Sequence, residues 1–380
     1  MQRLRSLFVV GLPLLIFGAV SFYITVGLLT PEPAPLRSPD RIDWIAAVAN
    51  MSNERHEQLS GSWSLDLPKD HGAHSEGSME TWQLTAFLRN ERGEDIGFQF
   101  SVFRVGIVPP GAPPPSSIWE VHDIYLGNIT VNGMLKGGVD GDERISRGMT
   151  GVAGFDPDIH ELRIDNWSLQ FNQGSGRGEM ELDVAEGKVR AELSLTPLKA
   201  PITMDDDAIP FRGYSVTRLS VNGHLNGSQG RDVVSGTAWF DHIWGELPIP
   251  GASPIVWDRL QLHLDDGRDL SLIRSRRRDG GGATTADGYV VDSEGQFSSL
   301  DEASTELVIA RIWRGARGAY PVDWQLKAND LNLQVTSLID EQEYDFAVPV
   351  WNGMVRAEGE PGIRHIGGVG MMQLTGYQAQ

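Results

Sequence analysis

Two Asp-His pairs are the residues of this chain best suited to acid–base chemistry. They are Asp70-His71, followed by His74, and Asp241-His242, followed by Trp244. A carboxyl group that an apolar wall keeps protonated can deliver a proton, and a tryptophan face can stabilise a cation formed nearby. Within each pair, the Asp and the His are therefore the candidate catalytic residues. The alternative, which we favour, is that each carboxylate orients a buried histidine and pins a loop across the end of the fold.

A second group of residues has the types needed to line a ligand pocket. Tryptophan rings supply apolar walls, and polar side chains on strands can hold a headgroup or a carboxylate. The predicted ligand-binding residues are Trp82, Trp239, Trp244, Trp257, His74, Glu80, Gln99, Arg104 and Arg274. For Glu80 and Arg104 the simpler alternative is a charge pair that closes one end of the fold.

A metal site is a weaker alternative for the same histidines. His71 and His74, together with Asp70 or Asp241, offer the nitrogen and oxygen ligands that zinc takes. Their spacing is not diagnostic, because separate strands and loops would have to bring them together. We therefore predict no bound metal and no other cofactor.

Composition excludes several functions. The chain has 380 residues, with 32 Lys and Arg against 51 Asp and Glu, and its net charge is -19. It therefore lacks the positive field that holds a nucleic-acid backbone, and no nucleic-acid partner is expected. The absence of cysteine excludes disulfides, thiolate metal sites and a cysteine nucleophile.

The elements that must position these residues are antiparallel strands. Beyond residue 60, apolar residues alternate with polar ones and the runs are separated by turns that contain glycine. This pattern predicts hairpins over residues 84–102, 180–195, 260–272 and 324–335. A short helix is predicted only within residues 42–59. Such strands must pack as a sandwich or close into barrels.

The beginning of the chain predicts membrane attachment. Residues 6–30 carry no charge, follow Arg3 and Arg5, and are long enough to span a bilayer once. We expect residues 1–35 to be an inner-membrane anchor with the body in the periplasm, and residues 36–59 to be a linker. A cleaved signal peptide ending near Ser21 is the alternative.

Internal repetition predicts two domains. The segment from Trp82 to Arg104 resembles the one from Trp257 to Arg274, and the ends of the two halves also resemble each other. The chain is therefore expected to hold one β unit copied once, as domains 60–247 and 248–380.

The stretch from Leu67 to Arg104, which contains DHGAH, ETW and GFQFSVFR, resembles the signature of the AttH/CrtC family of carotenoid 1,2-hydratase-like proteins. The later blocks YSVTRLSVNG, VSGTAWFDHIWG and LQLHLDDGRDLSLIR resemble that family in the same order. The resemblance implies two lipocalin-like antiparallel β-barrel domains and a hydrophobic ligand. It departs where the hydratase branch carries a Tyr-x-Asp, because residues 269–274 read DLSLIR.

Three functional hypotheses remain open from the sequence. The first is a carrier whose barrels have oily lumens that hold a lipid or isoprenoid. The resemblance implies that such a carrier serves an ABC permease at the inner membrane. The second is a hydro-lyase that adds water to an acyclic carotenoid or terpene. The third is a structural interaction module whose barrels are filled by side chains.

Overall fold

A computed structural model describes residues 56, 59, 61–113, 116–117, 119–135, 138–172, 178–185, 187, 189–204, 211–227, 230–246, 255–278, 284–300, 305–359 and 366–377. All of them lie in one compact unit, Ile45–Gln380. The predicted anchor lies outside the described residues, as do the predicted linker and short helix apart from His56 and Leu59. Within the described part of the chain, no helix is long and apolar enough to cross a bilayer.

Two antiparallel sheets make up the fold. The twelve-stranded sheet, barrel 1, contains β1 (Met79–Asn90), β2 (Asp95–Gly106), β3 (Asp123–Leu135), β4 (Gly138–Arg147), β5 (Ala153–Asp156), β6 (Glu161–Ile164), β7 (Trp167–Phe171), β8 (Met180–Val184), β9 (Arg190–Pro197), β10 (Ile202–Met204), β11 (Phe211–Gly227) and β12 (Gly230–Gly245). The ten-stranded sheet, barrel 2, contains β13 (Ile255–Leu264), β14 (Asp269–Arg277), β15 (Thr285–Val291), β16 (Phe297–Ser299), β17 (Glu306–Arg314), β18 (Ala319–Ala328), β19 (Leu331–Ser337), β20 (Glu343–Tyr344), β21 (Val350–Gly359) and β22 (Gly367–Thr375).

The two sheets share one strand order. Barrel 1 runs β4-β3-β2-β1-β12-β11-β9-β8-β7-β6-β5, with β10 on β11, and barrel 2 runs β16-β15-β14-β13-β22-β21-β19-β18-β17, with β20 on β21. Each strand of barrel 2 therefore has a counterpart in barrel 1, where β5 and β6 are additional. A bridge between Met149 and Ala153 nearly closes barrel 1, whereas barrel 2 is a half-barrel.

The predicted hairpins are present as β1–β2, β8–β9, β13–β14 and β18–β19. In β8 buried and exposed residues alternate as predicted, because one face meets the core and the other meets solvent. In β1 nearly every residue is buried. The outer face of β1 packs against barrel 2, so the expectation of half-buried strands fails at the contact between the barrels.

Buried ion pairs join the barrels. Asp269 of β14 accepts hydrogen bonds from Arg218 of β11 at 2.6 and 2.8 Å and from Lys199 at 2.7 Å. Arg259 of β13 donates to Asp241 of β12 at 2.6 Å. Both aspartates are buried, so each barrel depends on the other to neutralise charge inside the contact.

Candidate functional site

Polar residues gather at one end of barrel 1, where β1 begins and β2 and β12 end. The register pairs Glu80 with Arg104 and with Trp244, and it pairs Trp82 with His242. Paired residues share a face of the sheet, and this face is the one that carries the apolar core of barrel 1. The alternation that builds the core therefore also directs these polar side chains into the barrel end.

The segment that precedes β1 contributes further polar residues to this end of barrel 1. A short 3-10 turn, Lys69–His71, precedes the sheet and places Asp70, His71 and His74 over the same end, all of them buried. We call the set Asp70, His74, Glu80, Arg104 and His242 the Glu80 cluster.

Glu80 is the centre of this cluster and has no exposed surface. Its Oε1 lies 2.9 Å from His74 Nδ1 and 2.8 Å from His242 Nε2. Its Oε2 accepts a hydrogen bond from Arg104 Nε at 2.9 Å, and the backbone N–H of His74 donates to both oxygens. Arg104 also donates to Asp123 at 2.8 Å. The Glu80–Arg104 charge pair proposed from the sequence is therefore present.

Aromatic rings clamp both histidines. His74 stacks on Trp244 with ring centres 3.6 Å apart, and His242 stacks on Trp82 at 4.6 Å. The Trp82 indole donates to the carbonyl of His71 at 3.1 Å. Stacking of this kind limits ring rotation, so the imidazole nitrogens keep their direction toward Glu80.

The protonation of the cluster follows from burial and charge. Burial alone would raise the pKa of Glu80, but the charge of Arg104 and the hydrogen bonds from both histidines lower it well below its ordinary value. Burial opposes protonation of His74, yet the hydrogen bond to Glu80 and the nearby carboxylates raise its pKa above the ordinary value. For His242, burial dominates and lowers the pKa. Burial and charge therefore displace the pKa values of the two histidines on this carboxylate oxygen in opposite directions.

His71 forms a separate pair. Its Nδ1 lies 2.5 Å from the hydroxyl of Tyr214, and its ring stacks on Phe171. Burial, with a smaller effect from the nearby His242, lowers the pKa of His71 to about 3, while burial raises the pKa of Tyr214 well above its ordinary value. Both groups are therefore neutral near pH 7, and a hydrogen bond joins them.

Asp241 and His242 do not form the acid–base pair predicted from the sequence. Adjacent residues of a strand point to opposite faces, so His242 enters barrel 1 while Asp241 faces barrel 2. There Asp241 accepts hydrogen bonds from Trp239, Arg259 and Gln261. The other predicted pair is also divided, because the carboxylate of Asp70 lies 3.5 Å from His74 rather than against His71.

The remaining predicted ligand-binding residues lie away from the Glu80 cluster. Trp239 is on the outer face of β12 and stacks on His263 in the contact between the barrels. Gln99 is in the same contact and accepts a hydrogen bond from Asn352. Trp257 and Arg274 belong to barrel 2, where Arg274 donates to Asp258 at 2.8 Å. Arg104 and Arg274 therefore lie in different barrels, where each has its own carboxylate partner.

Barrel 2 repeats the ion pair without the histidines. Asp258 pairs with Arg274 in β13–β14 just as Glu80 pairs with Arg104 in β1–β2. The same registers make Met372 the counterpart of His242 and Leu374 the counterpart of Trp244. The acid–arginine pair is thus common to both barrels, and the imidazole and indole rings distinguish barrel 1.

Comparison with known proteins identifies the family. A family model described as AttH-like matches residues 58–377. The chain belongs to the AttH-like family. A crystal structure of a protein assigned as AttH from Nitrosomonas europaea superposes with a TM-score of 0.70 and 24% identity, covering 84% of this chain and 99% of that one. No curated protein shows a significant match to the sequence.

A second solved structure shares the architecture of this AttH-like chain. Kievitone hydratase from Nectria haematococca superposes with a TM-score of 0.60 and 13% identity, covering 85% of this chain and 96% of that one. At these identities the likeness shows the fold alone. The two lipocalin-like domains implied by the resemblance are confirmed.

Large apolar side chains form the cores of both AttH-like barrels. Large side chains fill the core of barrel 1, among them Trp167, Phe98 and Phe100, and Trp324 and Trp351 do so in barrel 2. A cavity of about 800 Å³ lies instead at the end of barrel 1, between the start of β3 and the segment from β4 to β6. Ala73 and Asp123 both line it, which places it beside the Glu80 cluster.

Sequence reasoning missed two residues of this region. Tyr214 pairs with His71, and Tyr125 lines the cavity, where burial raises the pKa of its phenol above the ordinary value. The alternation of β11, which directs Tyr214 inward together with Val216, is a signal that could have identified the first. No comparable signal places Tyr125 beside a cavity, because the segment from β4 to β6 forms the other wall.

Proposed function

We propose that this AttH-like protein binds a small molecule with an apolar body at the end of barrel 1. The supporting observation is the cavity of about 800 Å³, which falls within the usual size range of small-molecule sites. Tyr125, Val152, Phe155 and Ile159 contribute apolar lining. A lipid or isoprenoid fits such a wall better than a highly polar metabolite does.

Charge narrows the class of ligand. The lining includes five carboxylates, which belong to Glu120, Asp123, Asp156, Asp158 and Glu161. Its arginine, Arg163, is already paired with Glu161. An anionic headgroup would meet repulsion here, so the ligand we propose is neutral or cationic.

The test uses two probes of equal chain length and opposite charge, decylamine and decanoate. Native mass spectrometry of the purified full chain should detect decylamine adducts at concentrations about tenfold below those needed for decanoate, a difference of about 1.4 kcal/mol. Ala73→Trp, which fills the cavity from its edge, should abolish the decylamine adduct.

The matched control is Ala200→Trp, because Ala200 is also exposed in barrel 1 but does not line the cavity. This variant should bind decylamine as the unaltered chain does. Equal binding by both tryptophan variants, or a preference for decanoate, would contradict the proposal.

A hydro-lyase of the carotenoid 1,2-hydratase class is the second candidate. The Glu80 cluster favours it, because His74, His242 and Arg104 hold a buried carboxylate beside the cavity, and adding water to an alkene begins with proton transfer. Kievitone hydratase, a protein of the same fold, is named as a hydratase. The proposed acid–base residues are then His74, Glu80 and His242, in place of Asp241.

Incubation with an acyclic carotenoid tests this second candidate. The expected product is heavier by one water, and His242→Gln should abolish it while leaving the thermal midpoint within a few degrees. His263→Gln, which alters another buried histidine outside the Glu80 cluster, should retain activity. If the unaltered chain forms no hydrated product, the ligand-binding proposal stands without catalysis.

We also propose, from the sequence, that residues 6–30 hold the protein in the inner membrane with its body in the periplasm, where an ABC permease would be its partner. Intact mass of the exported protein tests this localisation. A mature chain that lacks about the first 20 residues would replace the anchor with a signal peptide.

A further inference from the structure

We propose that His74 Nδ1, Glu80 Oε1 and His242 Nε2 form a binding site for a divalent transition metal ion, for which zinc is the best match. The inference concerns a metal rather than the apolar ligand, and it does not depend on the proposed function. It also replaces the ligand set considered from the sequence, because Glu80 and His242 take the places given there to His71 and an aspartate.

The three ligand atoms already converge. They all lie within 4.8 Å of one another, and Glu80 Oε1 is 2.9 Å from His74 Nδ1 and 2.8 Å from His242 Nε2. Zinc binds nitrogen and oxygen ligands at about 2.0–2.2 Å in tetrahedral geometry, which requires ligand atoms about 3.3–3.6 Å apart. Movements of less than about 1 Å would therefore admit the ion.

Hydrogen bonding around His242 leaves a place for a cation. Its Nδ1 lies 2.9 Å from the backbone carbonyl of Asp70, and a carbonyl only accepts, so Nδ1 carries the proton. Its Nε2 then faces Glu80 Oε1 at 2.8 Å, where the hydrogen-bonded proton is the group that a metal ion would displace.

The surroundings match those of metal-bound histidines. Such histidines direct their second nitrogen to a carbonyl or a carboxylate, which fixes ring orientation and increases ligand basicity. His242 does so with the carbonyl of Asp70, and His74 Nε2 lies 3.5 Å from the carboxylate of Asp70. The second oxygen of Glu80 is held by Arg104, so the carboxylate is oriented as a ligand through Oε1.

Charge and an unpaired donor also favour an ion. The carboxylates of Asp70, Glu80 and Asp123 outnumber the one arginine of the cluster, Arg104, so negative charge surrounds the three ligand atoms. Three protein ligands leave a fourth position for an oxygen atom. The indole N–H of Trp244 is buried without a hydrogen-bond partner among the described residues, and a water on the metal could accept from it.

Barrel 2 provides an internal comparison. Its equivalent position keeps the carboxylate as Asp258 and the arginine as Arg274, but Met372 replaces His242. Without that imidazole the counterpart lacks a nitrogen ligand that zinc favours. Binding should therefore be limited to one ion per chain.

The test measures zinc binding to the purified full chain. After removal of metal with EDTA, titration with zinc alone should reach a stoichiometry of about one ion per chain. His74→Gln and His242→Gln should each weaken binding by more than about 100-fold, and Asp70→Asn by about 10- to 100-fold. The matched control, His263→Gln, removes a different buried histidine and should bind zinc normally.

A second measurement needs no variant and covers the case in which the substitutions prevent folding. Cobalt(II) added to the metal-free chain should give the visible absorption of a tetrahedral nitrogen and oxygen site, and zinc should displace it. Less than about 0.1 zinc per chain with no cobalt spectrum would overturn the proposal, as would equal binding by His242→Gln and His263→Gln. Loss of zinc binding with intact decylamine binding would separate this site from the cavity.

Discussion

At the scale of single residues, the Glu80 cluster shows how hydrogen bonds and an ion pair can stabilise a fully buried carboxylate. Four donors address the two oxygens of Glu80, and they come from His74, His242 and Arg104. A carboxylate offers about four acceptor positions, so the side chain is saturated. Removing the arginine, its permanent cation, leaves the buried charge of Glu80 uncompensated, whereas removing one member of a surface ion pair costs little.

Arg104→Met should lower the free energy of unfolding by about 3–5 kcal/mol, because it leaves Glu80 buried without its permanent cation. The matched control is Arg89→Met, which breaks an exposed pair with Asp95 and should cost less than about 1 kcal/mol. Urea denaturation of both variants measures the difference. Equal losses would show that Arg104 does not stabilise the cluster.

His263 should make the fold sensitive to acid. Burial lowers its pKa from 6.5 to about 4, so between these values the unfolded chain binds a proton that the folded chain does not. The free energy of unfolding should therefore fall as the pH drops from about 6.5 to about 4, by about 3 kcal/mol from this group.

His263→Gln removes the titrating group, so it should flatten this part of the profile of unfolding free energy against pH. Urea denaturation at several pH values measures both profiles. An unchanged slope would assign the acid sensitivity to another group, such as the neutral His71.

At the scale of strands, alternation predicted the hairpins but not the strands with two buried faces. β8 shows one buried face, as expected from Met180, Leu182 and Val184. β1 is buried on both faces because barrel 2 covers its outer side. This cover depends on tertiary packing, and the sequence of β1 alone does not indicate it. The dependence on tertiary packing also limited what the sequence could predict about the candidate site. Sequence identified Glu80, Arg104 and the histidines, but it could not assign neighbours in β12 to opposite faces without knowing where the core lay.

Gly97 of β2 lies where the two barrels pack closely against each other. A Cβ at this position would meet the side chain of Met354 in barrel 2 and the sulfur of Met371. Gly97→Val should therefore lower the free energy of unfolding by about 1–3 kcal/mol through overpacking.

The double variant Gly97→Val with Met354→Ala provides room for the new side chain. It should be less destabilised than the sum of the two single variants, as a double-mutant cycle in urea would measure. Strict additivity would mean that the valine is accommodated without contact with barrel 2.

At the scale of the whole molecule, the two barrels share buried charges and should unfold together. Asp269 of barrel 2 holds Lys199 and Arg218 of barrel 1, and the carboxylate has no exposed surface. Its loss leaves two cations in a contact from which water is largely excluded.

Asp269→Ala should lower the free energy of unfolding by about 3–5 kcal/mol and separate the calorimetric transitions of the two barrels. The unaltered chain should show one transition. Asp330→Ala, which removes an exposed partner of Arg268, is the control and should leave that single transition in place. A single, unshifted transition in Asp269→Ala would mean that apolar packing alone couples the barrels.

The placement of β1 beside β12 has a consequence for how the chain can be rearranged. Met79, where β1 begins, pairs with Gly245, where β12 ends, and in barrel 2 the first strand β13 likewise lies beside the last strand β22. The first and last strands of each barrel are therefore neighbours, and the chain enters and leaves each barrel at adjacent points. A circularly permuted gene for barrel 1, opened at the turn of residues 91–94 and joined by a short linker between the original ends of that barrel, should still specify every strand pairing within it. Because the chain enters and leaves each barrel at adjacent points, one barrel should also tolerate duplication or insertion into a longer polypeptide without a change in the strand order of the other barrel.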